Sequence, residues 1–108
     1  KGFEMFLKIE KETNGDHWAQ HMLGVCYRNG FGTDQDHDKT FKFFTKSAEQ
    51  GNSLAMNSLG FCYDNGVGCD QNDDKAFEWY KKSAKLGNSS AMRNVGFLDE
   101  DTEEATKD

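Results

Sequence analysis

Residues 52–87 read NSLAMNSLGFCYDNGVGCDQNDDKAFEWYKKSAKLG, and residues 16–51 read DHWAQHMLGVCYRNGFGTDQDHDKTFKFFTKSAEQG, the same pattern 36 residues earlier. Identities fall at Ala19/Ala55, Leu23/Leu59, Gly24/Gly60, Cys26/Cys62, Tyr27/Tyr63, Gly30/Gly66, Gly32/Gly68, Lys39/Lys75, Phe41/Phe77, Ala48/Ala84 and Gly51/Gly87. A third copy opens on the same period with Ala91, Val95 and Gly96. A fixed period of this size marks stacked repeats. Each unit can bury its apolar face only against its neighbours, and the stack leaves a long surface for holding partners.

One repeat is a helical hairpin. From Ser53 to Asn65 the apolar residues Ala55, Met56, Leu59, Cys62 and Tyr63 recur at helical spacing and form one stripe. Asn65-Gly66, like Asn29-Gly30, closes the helix, because both residue types tolerate a left-handed backbone. A glycine loop, Gly66 to Gln71, leads to a second helix that starts at the N-cap Asn72. Asp73 and Asp74 suit the positive end of that helix; Asp36 is the corresponding start in the first copy. The second helix should bury Ala76, Phe77, Tyr80 and Ala84 and stop at Gly87. Gly24 and Gly60 sit inside first helices, where each costs about 0.5–1 kcal/mol relative to alanine. Their recurrence predicts a close helix crossing in which a Cβ would clash.

The expected architecture is all-α, a single solenoid over residues 1–108 of about 2.5 helix-turn-helix repeats and five helices. Residues 1–15 read as the second helix of a preceding, degenerate repeat. Phe3 and Phe6 match Phe41 and Phe44 if two residues are inserted near Thr13. Repeats then span 16–51 and 52–87, a further first helix spans 88–98, and 99–108 is an acidic tail.

Written with gaps, each copy gives A-x-x-x-L-G-x-x-Y-x-x-G-x-G followed by D/N-x-x-K-x-x-x-F/W-F/Y-x-K-S-A-x-x-G. This resembles the Sel-one-like repeat, a relative of the tetratricopeptide repeat, over residues 16 to about 98. The resemblance implies a right-handed superhelix of α/α hairpins that serves as an adaptor in protein complexes. Thr40 departs from the alanine present at position 76, and Thr33 and Cys69 stand where the family commonly has valine. A cysteine-rich bacterial branch of the family bridges the second helix of one unit to the first helix of the next. The corresponding positions here are Ala48 with Ala55 and Ala84 with Ala91, so the resemblance does not extend to that disulfide-stapled branch.

Net charge is −6 over 108 residues, which disfavours a sequence-independent grip on nucleic acid or an anionic membrane. An aromatic share of 13% is too high for a disordered chain. No apolar run approaches the ~20 residues that span a bilayer, so no membrane insertion is expected. Three cysteines cannot complete a disulfide framework. Cys26 and Cys62 also sit on equivalent helices, expected about 8–10 Å apart and beyond disulfide reach. Free thiols, a reducing compartment and a cytoplasmic location follow as expectations. The chain starts at Lys1, and the expectation is a monomeric piece of a longer protein.

Nothing in the sequence assembles a catalytic or cofactor site. His17 and His21 have H-x-x-x-H spacing, yet Trp18 stands where a metalloprotease needs glutamate, and no Cys-x-x-Cys accompanies them. Gly30-Phe31-Gly32 and Gly66-Val67-Gly68 lack the strand and the Gly-Lys-Ser/Thr of a phosphate loop. Cys26 and Cys62 lie on the apolar stripe as small hydrophobes, and Asp70, Asp73 and Asp74 would raise the pKa of Cys69. The acidic run Asp70 to Asp74 lacks the frame of a calcium loop. No enzyme activity, metal or cofactor is therefore expected.

The side of each first helix opposite the stripe differs between copies, and unshared positions are free to specify a ligand. In the first unit it carries Trp18, His21, Met22, Val25 and Arg28; in the second Leu54, Asn57, Ser58, Phe61 and Asp64; in the third Ser90, Arg93, Asn94 and Phe97. First helices line the concave wall of such superhelices. This row is the predicted binding strip for a protein or peptide partner, with Arg28 and Arg93 as charged anchors. Phe61 and Phe97 could instead pack between units. An alternative role is a structural or regulatory module packed on an enzyme domain of a larger parent protein.

Overall fold

Caps and glycines divide the chain into helices at 36-residue intervals. In the computed structural model, which describes residues 2–98, Asp16 accepts from the Ala19 N–H at 2.8 Å, Asn52 from Ala55 at 2.9 Å and Asn88 from Ala91 at 2.8 Å. The second helices are capped alike, by Asp36 on Lys39 and Asn72 on Lys75, each at 3.0 Å. Gly30 and Gly66 close the first helices with φ of 74° and 69°, a left-handed backbone that suits glycine.

The elements are α1 (Gly2–Glu12), α2 (His17–Asn29), α3 (His37–Glu49), α4 (Ser53–Asn65), α5 (Asp73–Lys85) and α6 (Ser89–Leu98), with no strand among the described residues. The described residues form six helices rather than the expected five: the segments expected at 1–15 and 88–98 each give one helix, α1 and α6, beside the four of the two complete hairpins α2–α3 and α4–α5. The acidic tail expected at 99–108 lies outside the described residues. Substantial packing joins only helices consecutive in sequence, most closely within each hairpin. The body is accordingly elongated, 46 × 24 × 17 Å.

The central core is Phe44, Ala48, Ala55, Leu59 and Cys62, contributed by α3 and α4. Thus the second helix of one unit and the first helix of the next share one buried layer. Within a hairpin, the crossing explains the interior glycines. A Cβ on Gly24 would lie 2.5 Å from the Phe44 ring, and one on Gly60 would lie 2.7 Å from the Tyr80 ring and 3.2 Å from the Ala76 carbonyl oxygen. Two buried serines lock the same crossing: the Ser47 hydroxyl donates to the His17 carbonyl and the Ser83 hydroxyl to the Ser53 carbonyl, both at 2.6 Å. Thr40, the departure from alanine, is buried, and its hydroxyl donates to the Asp36 carbonyl at 2.8 Å within its own helix.

The turn between α1 and α2 is longer than the α3–α4 turn. It passes through Asn14 at φ 57° and Gly15 at φ 103°. Phe3 meets Tyr27 edge-on at 5.3 Å and 87°, just as Phe41 meets Tyr63 at 5.5 Å and 88°. Relative to α2, then, α1 stands where α3 stands relative to α4.

Candidate functional site

The first helices α2, α4 and α6 carry every residue of the predicted strip, and contacts link them from unit to unit. The Arg28 guanidinium of α2 lies 4.2 Å from the centre of the Phe61 ring of α4, within cation–π range. The Asn94 side-chain amide of α6 donates to Asn57 Oδ1 of α4 at 2.9 Å. Trp18 (48% exposed) and Leu54 (41%) occupy equivalent positions and are the large apolar side chains this face shows to solvent. Arg93 is exposed, while Met22, Ser58 and Asp64 are half-buried. Val25 is half-buried too, and packs against the central core. The side chain of Phe97 lies outside what is described.

His21 is not a surface residue. It is buried between Trp18 and Phe44, both with ring centres at 5.7 Å, and its Nδ1 has no hydrogen-bond partner. Burial lowers its pKa from the ordinary 6.5, which favours the neutral ring. His17 is exposed, with Nδ1 3.0 Å from the Asn52 amide nitrogen. The H-x-x-x-H pair therefore faces two environments. Among the described residues no group of three or more His, Cys, Asp or Glu side chains could hold a metal.

The cysteines are unpaired. Cys62 is wholly buried, and burial with the nearby Cys69 thiol pushes its pKa up to about 12. Cys69 is half-buried and also raised; burial is the larger cause and Asp70 the second, whereas the sequence points to the acidic residues alone. Neither thiol is activated as a nucleophile.

The second helices hold a feature that the sequence reading passes over. Lys82 lies 4.5 Å over the Trp79 ring, Lys81 5.2 Å over Phe77, and Lys46 5.6 Å over Phe43. Phe77, read as core, is only half-buried and lines a hollow of about 220 Å³ with Glu78, Lys81, Lys82 and Lys85. A second hollow, of about 230 Å³, lies at the start of α3 beside Gln35, Asp36, His37 and Asp38. Both are smaller than the roughly 300–1,000 Å³ of small-molecule sites. No described helix is long and apolar enough to cross a membrane.

A string of capped helical hairpins with a glycine-seated crossing defines a protein of the α/α repeat class. More narrowly, the Sel1 repeat pattern matches residues 19–52 and 53–88, and the chain belongs to the Sel1 repeat family. Members of this family serve as protein–protein interaction repeats. A Sel1 repeat protein from Oxalobacter formigenes is 31% identical over 77% of this chain, with a TM-score of 0.75. The protective antigen c5321 of uropathogenic Escherichia coli, which displays an SLR fold, is 36% identical over 89% with a TM-score of 0.83. Cysteine-rich protein B of Helicobacter pylori shares the fold, at 24% identity over 83% and a TM-score of 0.74. The chain spans 34%, 20% and 66% of the lengths of these three. No curated protein matches it.

Proposed function

We propose that the chain is a non-catalytic protein-binding scaffold, and that a partner docks along the concave row of first helices α2, α4 and α6. One observation carries the reading: unshared residues of successive first helices touch across units, Arg28 on Phe61 and Asn94 on Asn57, with Trp18 and Leu54 open to solvent beside them. Trp18 and Leu54 supply apolar anchors, Arg93 a charged one, and the half-buried polar groups fix register. The stacked Arg28–Phe61 pair offers the partner a rigid cationic platform. Unpaired thiols fit a reducing compartment such as the cytoplasm.

The test compares proteins captured from cell extract by the chain and by a Trp18→Ala, Leu54→Ala, Arg93→Ala variant. All three positions are exposed; Leu54→Ala and Arg93→Ala should each change stability by less than about 0.5 kcal/mol, and Trp18→Ala, which uncovers one side of His21, is also melted alone as a control. Loss of the captured species at an unchanged melting temperature is expected. Equal capture by both would contradict the assigned face.

A further inference from the structure

The ionisable side chains are not spread evenly over the solenoid. Helices α3 and α5 hold seven of the chain's 13 lysines and arginines, all of them exposed lysines. Six of the seven stand 4.5–5.7 Å from the centre of an aromatic ring. In the first unit Phe43 stacks on Tyr27, with ring centres 5.7 Å apart and 7° between planes. Lys39 lies 5.2 Å over Tyr27, and Lys42 and Lys46 lie 5.7 and 5.6 Å from Phe43. The second unit repeats the arrangement, with Lys75 5.5 Å from Tyr63 and Lys82 4.5 Å from Trp79.

The two rings of each unit come from both helices of the hairpin, so each lysine is positioned by packing that also holds the fold. Tyr27 is buried; Phe43, Tyr63 and Trp79 are half-buried, the last two against the central core. A ring beneath an ammonium group attracts it and narrows its range of positions, so less freedom is lost when a second charge binds it. What this face presents is a set of held positive charges, in a chain whose net charge is −6. The carboxylates of the two helices gather at one end. Asp38, Asp73 and Asp74 stand in the first turns, which leaves Glu49 and Glu78 farther along.

We propose that this side of α3 and α5 is a docking surface for a protein segment rich in aspartate and glutamate, its carboxylates pairing with Lys39, Lys42, Lys46, Lys75 and Lys82. It is separate from the row of first helices and takes a partner by charge rather than by apolar anchors. Charge complementarity selects an anionic occupant, and the donors decide between classes. Phosphate recognition favours the two-pronged arginine group, and neither helix has an arginine. The carboxylates of the first turns would also repel the unbroken charge of a nucleic-acid strand, whereas a peptide can place its acidic residues beyond them.

An oligoglutamate peptide tests the proposal, with binding followed by calorimetry and by tryptophan emission. Trp18 and Trp79 are the only tryptophans, so Trp18→Phe leaves a reporter beneath Lys82, and Trp79→Phe leaves one on the first-helix row. The peptide should bind the unaltered chain with a Kd between about 10 μM and about 1 mM, the range of weak contacts. Emission from Trp79 should change with occupancy while that from Trp18 does not. Lys46→Gln and Lys82→Gln should each weaken binding about two- to fivefold, as loss of an exposed ion pair does, and raised salt should weaken it further. Lys11→Gln, an equal loss of charge on α1, should leave binding unchanged. All three lysines are exposed and glutamine suits a helix, so these variants stay folded. Absence of saturable binding would overturn the proposal, as would a response from Trp18 alone or an affinity unchanged in Lys46→Gln and Lys82→Gln. Equal weakening in Lys11→Gln, or oligothymidylate binding as tightly as the peptide, would overturn it too.

Discussion

Gly60 and Gly96 occupy the same place in consecutive repeats, yet one lies under the buried Tyr80 ring and the other faces solvent. Phe44 and Phe6 make the same contrast from the other side of the contact. The repeat encodes half an interface, and whether that half becomes core or surface depends on whether a neighbour supplies the other half. Stability should therefore depend on position in the stack more than on residue type.

The largest expected effect is at the aromatic positions. Phe44→Ala, at a fully buried ring, should cost about 3–5 kcal/mol in denaturant unfolding, the usual loss for a buried aromatic. Phe6→Ala, the same change at the open end, should cost about 1 kcal/mol or less. Similar losses at the two sites would erase the contrast between middle and end.

A smaller effect concerns His21, which the hairpin seam buries. Its folded pKa lies below 6.5 because burial disfavours the charged ring, so the unfolded chain takes up a proton that the folded chain refuses. Above about pH 7 both states are neutral and this residue contributes no pH dependence. As pH falls through 6.5 toward the folded value, stability should drop. Urea unfolding at pH 7.5 and 5.5, compared with the same pair of curves for His21→Leu, isolates the effect; identical slopes in both proteins would contradict the burial of this ring.

Much of this was legible in the sequence because repetition filters signal from accident. The caps at Asp36 and Asn72, the helix stops at Gly30 and Gly66, and the tight crossing at Gly24 and Gly60 all recur at one spacing, and the structure has each. His21 was less legible. A helical wheel sorts residues into toward-core and away, but a first helix touches two neighbours, its own second helix and the preceding one. His21 lies at the edge of the contact with its own second helix, against Phe44 of α3. Ser47 and Ser83 were missed because a hydroxyl reads as surface in isolation. Their match at 36-residue spacing was the available signal, since a polar residue repeated among core positions is one whose hydrogen bond is built into the fold. The row from Trp18 to Arg93 was visible as variation between copies, but the Arg28–Phe61 stacking and the Asn57–Asn94 bond depend on how units stack, which periodicity alone does not specify.

The most direct measurement places alanine at Gly60 and at Gly96 and compares melting temperatures. In an isolated helix both changes would stabilise by about 1 kcal/mol. At Gly60 the added Cβ meets the Tyr80 ring at 2.7 Å and the Ala76 carbonyl at 3.2 Å, and overpacking of this kind costs about 1–3 kcal/mol. A lower melting temperature for Gly60→Ala with an unchanged or higher one for Gly96→Ala is the expected result. A rise of the same size at both positions would mean that the hairpins do not cross as described.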